Sequence, residues 1–81
     1  MSEYMSCEHK GVRFEIELEQ GFCYYTRWTL TVHENGSKWG KTFCTRDQAV
    51  RFLHACTYVL DEGIQRSLFF DASCLYEGIA A

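Results

Sequence analysis

The dipeptide Asn35-Gly36 limits what this chain can fold into more than any other pair of residues, because it separates two runs of alternating apolar side chains. Asn and Gly both tolerate positive φ, which a two-residue type I′ hairpin turn requires at both central positions. Closing the chain there sets Val32 opposite Trp39, Leu30 opposite Lys41 and Trp28 opposite Phe43. Lys41 is the misfit, a charged head on the apolar side, and its stem is expected to snorkel to the sheet edge. Directly after the second strand, Thr45-Arg46-Asp47-Gln48 has the form of a capping box. In that motif the Thr45 hydroxyl accepts from the Gln48 backbone N–H, and the Gln48 side chain reaches back to residue 45. A hairpin feeding straight into a helix, from Tyr24 to Leu60, is therefore the centre of the predicted fold.

Upstream, Val12, Phe14, Ile16 and Leu18 alternate with Arg13, Glu15, Glu17 and Glu19, the period of a half-buried strand. Glu19-Gln20-Gly21 reads as a three-residue loop with Gly21 in the left-handed position. That loop sets Leu18 against Phe22, Ile16 against Tyr24, Phe14 against Thr26 and Val12 against Trp28. The next strand, Phe22 to His33, buries Tyr24, Trp28, Leu30 and Val32 and turns Cys23, Tyr25, Arg27, Thr29, Thr31 and His33 outward. The helix is expected from Arg46 to about Glu62, with Gly63 as its stop. Its apolar stripe is Ala49, Phe52, Leu53, Cys56 and Leu60, flanked by Val50 and Val59, with Arg51, His54, Tyr58 and Asp61 outward.

The ends are less definite. Met1 to Lys10 reads as a flexible arm or a short edge segment. In the tail, Leu68, Ala72, Leu75, Tyr76 and Ile79 suit a helix, whereas Ser67 to Phe70 would suit a fourth strand. The expected fold is α+β: a three- or four-stranded antiparallel meander, one long helix packed on one face, and a short C-terminal helix or strand. It forms a single domain over residues 1–81, with an arm at 1–10, a β-β-β-α core at 11–63 and a C-terminal element at 64–81.

Charge narrows the function classes. The net charge of −3 is unevenly spread. In the middle of the chain Arg27, Lys38, Lys41, Arg46 and Arg51 outweigh Glu34 and Asp47, while the residues before and after are net acidic. A protein that holds nucleic acid mainly through phosphates normally carries a basic balance. No apolar run approaches the roughly 20 residues that span a bilayer. The first ten residues lack a signal-peptide core. The five cysteines (Cys7, Cys23, Cys44, Cys56, Cys74) are odd in number and irregularly spaced, which argues against a disulfide framework. A cytoplasmic location is expected.

Two resemblances follow from these residues. The segment Trp28 through Leu53, read as W-TLTVHENGSKWGKTFCTRDQAVRFL, resembles the amino-terminal arm-type DNA-binding domain of tyrosine recombinases. Such domains lay a sheet into the major groove, which implies DNA contacts by Arg27, Lys38, Thr29 and Thr42. The β-β-β-α order is also similar to double-stranded RNA-binding domains, although Arg46-Asp47-Gln48 replaces their basic helix start. In size, acidity and element order the chain resembles small phage-encoded host-defence inhibitors, the anti-CRISPR proteins among them. That resemblance implies a protein partner, plausible in a nucleic-acid-binding complex of the host cytoplasm, and no transferable site residue.

The candidate partner-binding residues are the acidic row Glu15, Glu17 and Glu19 and the outer residues Tyr25, Arg27, Thr29 and His33. Carboxylates at alternate positions of a strand sit about 7 Å apart, near the phosphate spacing of one DNA strand. The bland alternative is a solvated sheet face. Cys7 and His9 lack the paired spacing of a zinc site. Cys44, just before the helix cap, is the thiol nearest a helix N-terminus but has no evident base. The expectation is a non-enzymatic inhibitor or adaptor without cofactor or metal, able to dimerise through an unpaired outer strand.

Overall fold

Asn35 and Gly36 take φ values of 50° and 78°, as a type I′ turn demands, and the hairpin they close has the expected register. Val32 faces Trp39, Leu30 faces Lys41 and Trp28 faces Phe43. The computed structural model describes residues 3–20, 26–63 and 67–78. The fold is α+β: strands β1 (Tyr4–His9), β2 (Val12–Gln20), β3 (Thr26–Glu34) and β4 (Ser37–Phe43), then helices α1 (Arg46–Glu62) and α2 (Leu68–Glu77). The strands form one antiparallel sheet in the order β1-β2-β3-β4, a simple meander. The chain divides into two compact units, Met1–Ala49 and Val50–Ala81.

In the first unit, the pairing of β2 with β3 corrects one expectation. Leu18 faces Trp28 rather than Phe22, Ile16 faces Leu30 and Phe14 faces Val32. Strand β2 runs on through Gln20, which pairs with Thr26, so Glu19 and Gln20 belong to the strand and not to a loop, while Gly21 lies outside the described residues. The shift is even in residue number, so it keeps apolar opposite apolar and alternation alone cannot distinguish the two registers. Packing distinguishes them. The expected register put Thr26 against Phe14 and left Leu30 and Val32 with no partner on β2. The observed one places Leu30 and Val32 beside Ile16 and Phe14, and all four are buried.

The N-terminal segment is the edge segment rather than an arm. Strand β1 pairs with β2 from Tyr4↔Glu17 to His9↔Val12, and the Leu18 N–H donates to the Glu3 carbonyl at 3.0 Å. Its turn, Lys10-Gly11, has φ values of 51° and 81°, a second type I′ geometry. Lysine rarely adopts positive φ, so nothing in the residue types announces this turn. Lys41 lies half-buried on the apolar face of edge strand β4, where its stem can run out to solvent.

Helix α1 starts as its residues dictate. The Thr45 Oγ1 accepts from the Gln48 N–H at 3.2 Å, and the Gln48 Oε1 accepts from the N–H groups of Cys44 and Thr45 at 3.1 and 3.3 Å. Gly63, at φ 71°, ends it in the left-handed conformation. Ala49, Phe52, Leu53 and Cys56 are buried as expected, joined by Ala55 and Val59, while Leu60 is half-buried. Arg51, His54, Tyr58 and Asp61 are exposed.

In the second unit the tail forms a helix, not a strand. Ser67 caps α2, accepting from the Phe70 N–H at 3.3 Å, and Gly78 closes it in the left-handed conformation. Leu68, Asp71 and Ala72 are buried, and the Phe52 and Tyr76 rings meet edge to face with centroids 5.6 Å apart. The Arg51 guanidinium lies 5.3 Å from the centre of the Tyr76 ring. No helix among the described residues is long and apolar enough to cross a membrane.

Two substitutions test this local logic. Gly36→Ala forces a Cβ into the left-handed region and is expected to lower the unfolding free energy by about 1–2 kcal/mol. Thr45→Ala removes the cap at a cost of about 1 kcal/mol. Urea titration reads both as lowered midpoints with unchanged slopes. An unmoved midpoint in Gly36→Ala would mean that the turn is not type I′.

Candidate functional site

The polar face of the sheet collects most of the sequence-derived site residues, and cross-strand register decides which of them meet. It is ordered in rows. Glu8, Arg13, His33 and Lys38 form the first; Ser6, Glu15, Thr31 and Gly40 the second; Tyr4, Glu17, Thr29 and Thr42 the third; Glu19 and Arg27 the fourth. The three glutamates of β2 share this face as expected, but they are not a uniform acidic strip. Glu15 accepts from the Tyr4 hydroxyl at 2.5 Å, meets His33 Nε2 through its Oε1, and lies 3.4 Å from Arg13 Nη2. Glu19 takes the Arg27 Nε–H at 2.8 Å. Glu17 stays exposed opposite Thr29.

Glu15 is the hub. Its neighbours come from both adjacent strands: Tyr4 diagonally from β1, His33 diagonally from β3, and Arg13 from its own strand. The Tyr4 hydroxyl, then His33, hold the Glu15 carboxyl below the usual carboxylate range, with partial burial opposing them. The same hydrogen bond raises the Tyr4 phenol above its ordinary value, since ionising it would set two anions together. Arg13 Nη2 also lies 3.4 Å from His33 Nε2.

Of the remaining candidates, Arg27, Thr29 and His33 lie on this face, and Tyr25 falls outside the described residues. Thr29 is half-buried, and its hydroxyl is covered with no hydrogen-bond partner among the described residues. Of the residues implied by the recombinase-arm resemblance, Thr29 and Thr42 stand directly opposite each other on this face, whereas the two cations are well separated. Arg27 and Lys38 are at opposite ends of the sheet, roughly 20 Å apart along β3. Lys41 is on the other face, opposite Leu30. Tyr4 and Arg13 are the members that sequence reasoning did not select. Tyr4 gave no signal because β1 was not evident as a strand, whereas Arg13 already sat at an outward position of β2.

Described residues of the first unit line a cavity and a groove. A cavity of about 160 Å³ is lined by Glu3, Tyr4, Met5, Ile16, Trp28 and Arg46, with Arg46 Nη2 3.6 Å from the Met5 sulfur. This is below the roughly 300–1,000 Å³ usual for small-molecule sites. A larger open groove, about 540 Å³, lies where the two type I′ turns meet the polar face. Cys7 and Cys44 are exposed, Cys56 is buried and Cys74 half-buried. Among the described residues no three His, Cys, Asp or Glu side chains gather as metal ligands. The hydrogen bonds of His33 go to Glu15 and Arg13, with no Ser, Thr or Cys nucleophile among those partners.

Exposed apolar side chains concentrate in the second unit. Phe69, Phe70 and Leu75 on α2 are 43%, 53% and 46% exposed, and Tyr58 on α1 is 53% exposed. Comparison with known protein families, curated proteins and solved structures returns no match for this chain.

The Glu15 hub has a defined pH signature. A carboxylate whose folded pKa is lowered contributes stability that is present above its unfolded value and lost as pH falls through the folded one. The stability gap between wild type and Glu15→Gln is therefore expected to close through the acid range below the ordinary carboxylate pKa. Tyr4, with its raised phenol, contributes below the ordinary tyrosine value and loses that contribution as pH rises through the folded one. Tyrosine absorbance should accordingly show one phenol returning to the ordinary range in Glu15→Gln. An identical phenol titration in both proteins would exclude the Tyr4–Glu15 bond.

Proposed function

We propose that this chain is a non-enzymatic module that acts by binding another protein, with the polar sheet face as its principal contact surface. The observation that carries the reading is charge compensation within that face: Glu15 is matched by His33 and Arg13, and Glu19 by Arg27. Duplex binding through phosphates needs a cationic track several contacts long. On this face the two end rows mix carboxylates with cations and the two middle rows carry Glu15 and Glu17, so no such track forms. A surface of mixed sign with an exposed Tyr4, an exposed Arg27 and a covered, unpartnered Thr29 hydroxyl supports recognition of a polypeptide, whose amides and side chains offer both donors and acceptors.

In the inhibitor setting implied by the anti-CRISPR resemblance, the partner is a host nucleic-acid-binding complex and the module works in the host cytoplasm. The recombinase-arm reading remains the contrasting proposal, in which the same face meets DNA through Arg27, Lys38, Thr29 and Thr42.

Charge reversal separates the two. Glu17→Lys combined with Arg27→Glu leaves the buried side of the sheet untouched. It is expected to abolish capture of a specific protein partner from host lysate, while the wild type binds no duplex DNA at low salt. A wild-type affinity for duplex DNA that falls steeply with salt, with protein capture indifferent to the double substitution, would overturn the proposal.

A further inference from the structure

At one end of the sheet both type I′ turns, Lys10-Gly11 and Asn35-Gly36, adjoin the first row of the polar face. The open groove there is lined by Gly11, Arg13, His33, Asn35, Gly36, Ser37 and Lys38. This lining holds two permanent cations, an imidazole, a side-chain amide and a hydroxyl; Glu8, opposite Arg13 on β1, belongs to the same row but does not line the groove. Arg13, His33 and Lys38 stand directly opposite one another on three adjacent strands. Glu15, one row away, meets both Arg13 and His33, and Lys38 stays exposed.

We propose that this groove binds a small phosphate-bearing anion, gripped by Arg13, His33 and Lys38 together. The row spans two interstrand spacings, roughly 10 Å in all. One carboxylate group is too small to engage both ends, whereas a diphosphate carries several oxygens and more than one charge across that distance. Arg13 is 57% exposed at its side chain and meets Glu15 through one amino group at 3.4 Å. The rest of its five-donor fork is left to face a ligand. Glu15 acts as a positioning residue, holding Arg13 and His33 at the groove wall. At Gly11 and Gly36 no heavy atom beyond the glycine and its chain neighbours lies within 4 Å of where a Cβ would stand, so the rest of the fold leaves the approach to these turns open. The groove volume of about 540 Å³ falls within the range of small-molecule sites.

The test is titration of the full ¹⁵N-labelled chain with pyrophosphate at constant ionic strength, followed by amide chemical shifts. Saturable shifts are expected at Gly11, Arg13, His33, Gly36 and Lys38. Lys38→Ala and Arg13→Ala should each weaken the apparent affinity on the order of tenfold. Lys41→Ala, on the opposite face, should leave it unchanged. Lys38→Glu provides a second probe that leaves the Arg13–Glu15 pair intact. Four outcomes would overturn the proposal: no saturation, shifts spread evenly over Arg27, Arg46 and Arg51, equal affinity for acetate, or tighter and steeply salt-dependent binding of duplex DNA by the same row. The probe is a bare anion, so its result is independent of whether a protein partner is captured.

Discussion

The pairing of β3 with both of its neighbours is the constraint from which the rest of the first unit follows. Leu30 and Val32 are buried between Ile16 and Phe14 on one side and β4 on the other. Because side chains alternate with a period of two, a slip of one residue would turn Arg13 and Glu15 to the buried side and expose Phe14. Burying each large apolar side chain stabilises by roughly 1.5–3 kcal/mol, so such a slip is heavily disfavoured. The Asn35-Gly36 turn fixes one side of β3 locally. The apolar pairs fix the other side.

Once the register is set, the chemistry of the polar face is a matter of adjacency. Glu15 is one residue among several acidic ones in the sequence, and strand pairing puts it within reach of a tyrosine, a histidine and an arginine. Its lowered pKa, the raised Tyr4 phenol and the orientation of Arg13 are consequences of strand pairing. The same pairing concentrates the cations Arg13 and Lys38 at the end of the sheet that carries both tight turns, and ties Arg27 to Glu19 at the other end. Electrostatic variety on one face is thereby combined with little net field, a pattern suited to selective contacts rather than to long-range attraction of a polyanion.

Much of this was legible from residue types, and the failures have physical reasons. Asn35-Gly36, the Thr45–Gln48 capping box and Gly63 each encode a local geometry that few other residues supply, and these elements stand where they were expected. The β2–β3 register was not legible because an even shift preserves apolar alternation. The discriminating fact, that Leu30 and Val32 need partners on β2, emerges only when whole strands are matched. Strand β1 was obscured by a Lys-Gly turn with no preference for positive φ and by side chains that are nearly all exposed. With β1 hidden, Tyr4 could not be placed beside Glu15. Helix α2 did carry a legible signature, Ser67 before an apolar run and Gly78 after it, but the β-favouring Leu68-Phe69-Phe70 stretch left helix and strand both open.

The most direct check on this account is a map of nuclear Overhauser contacts between the side chains of β2 and β3. Facing side chains on paired strands lie about 4.5–5.5 Å apart at Cβ, well within range of the method. The account requires cross-peaks from Phe14 to Val32, from Ile16 to Leu30 and from Leu18 to Trp28. Cross-peaks from Phe14 to Thr26 and from Val12 to Trp28 in their place would contradict it, and would separate Arg13 and Glu15 from His33.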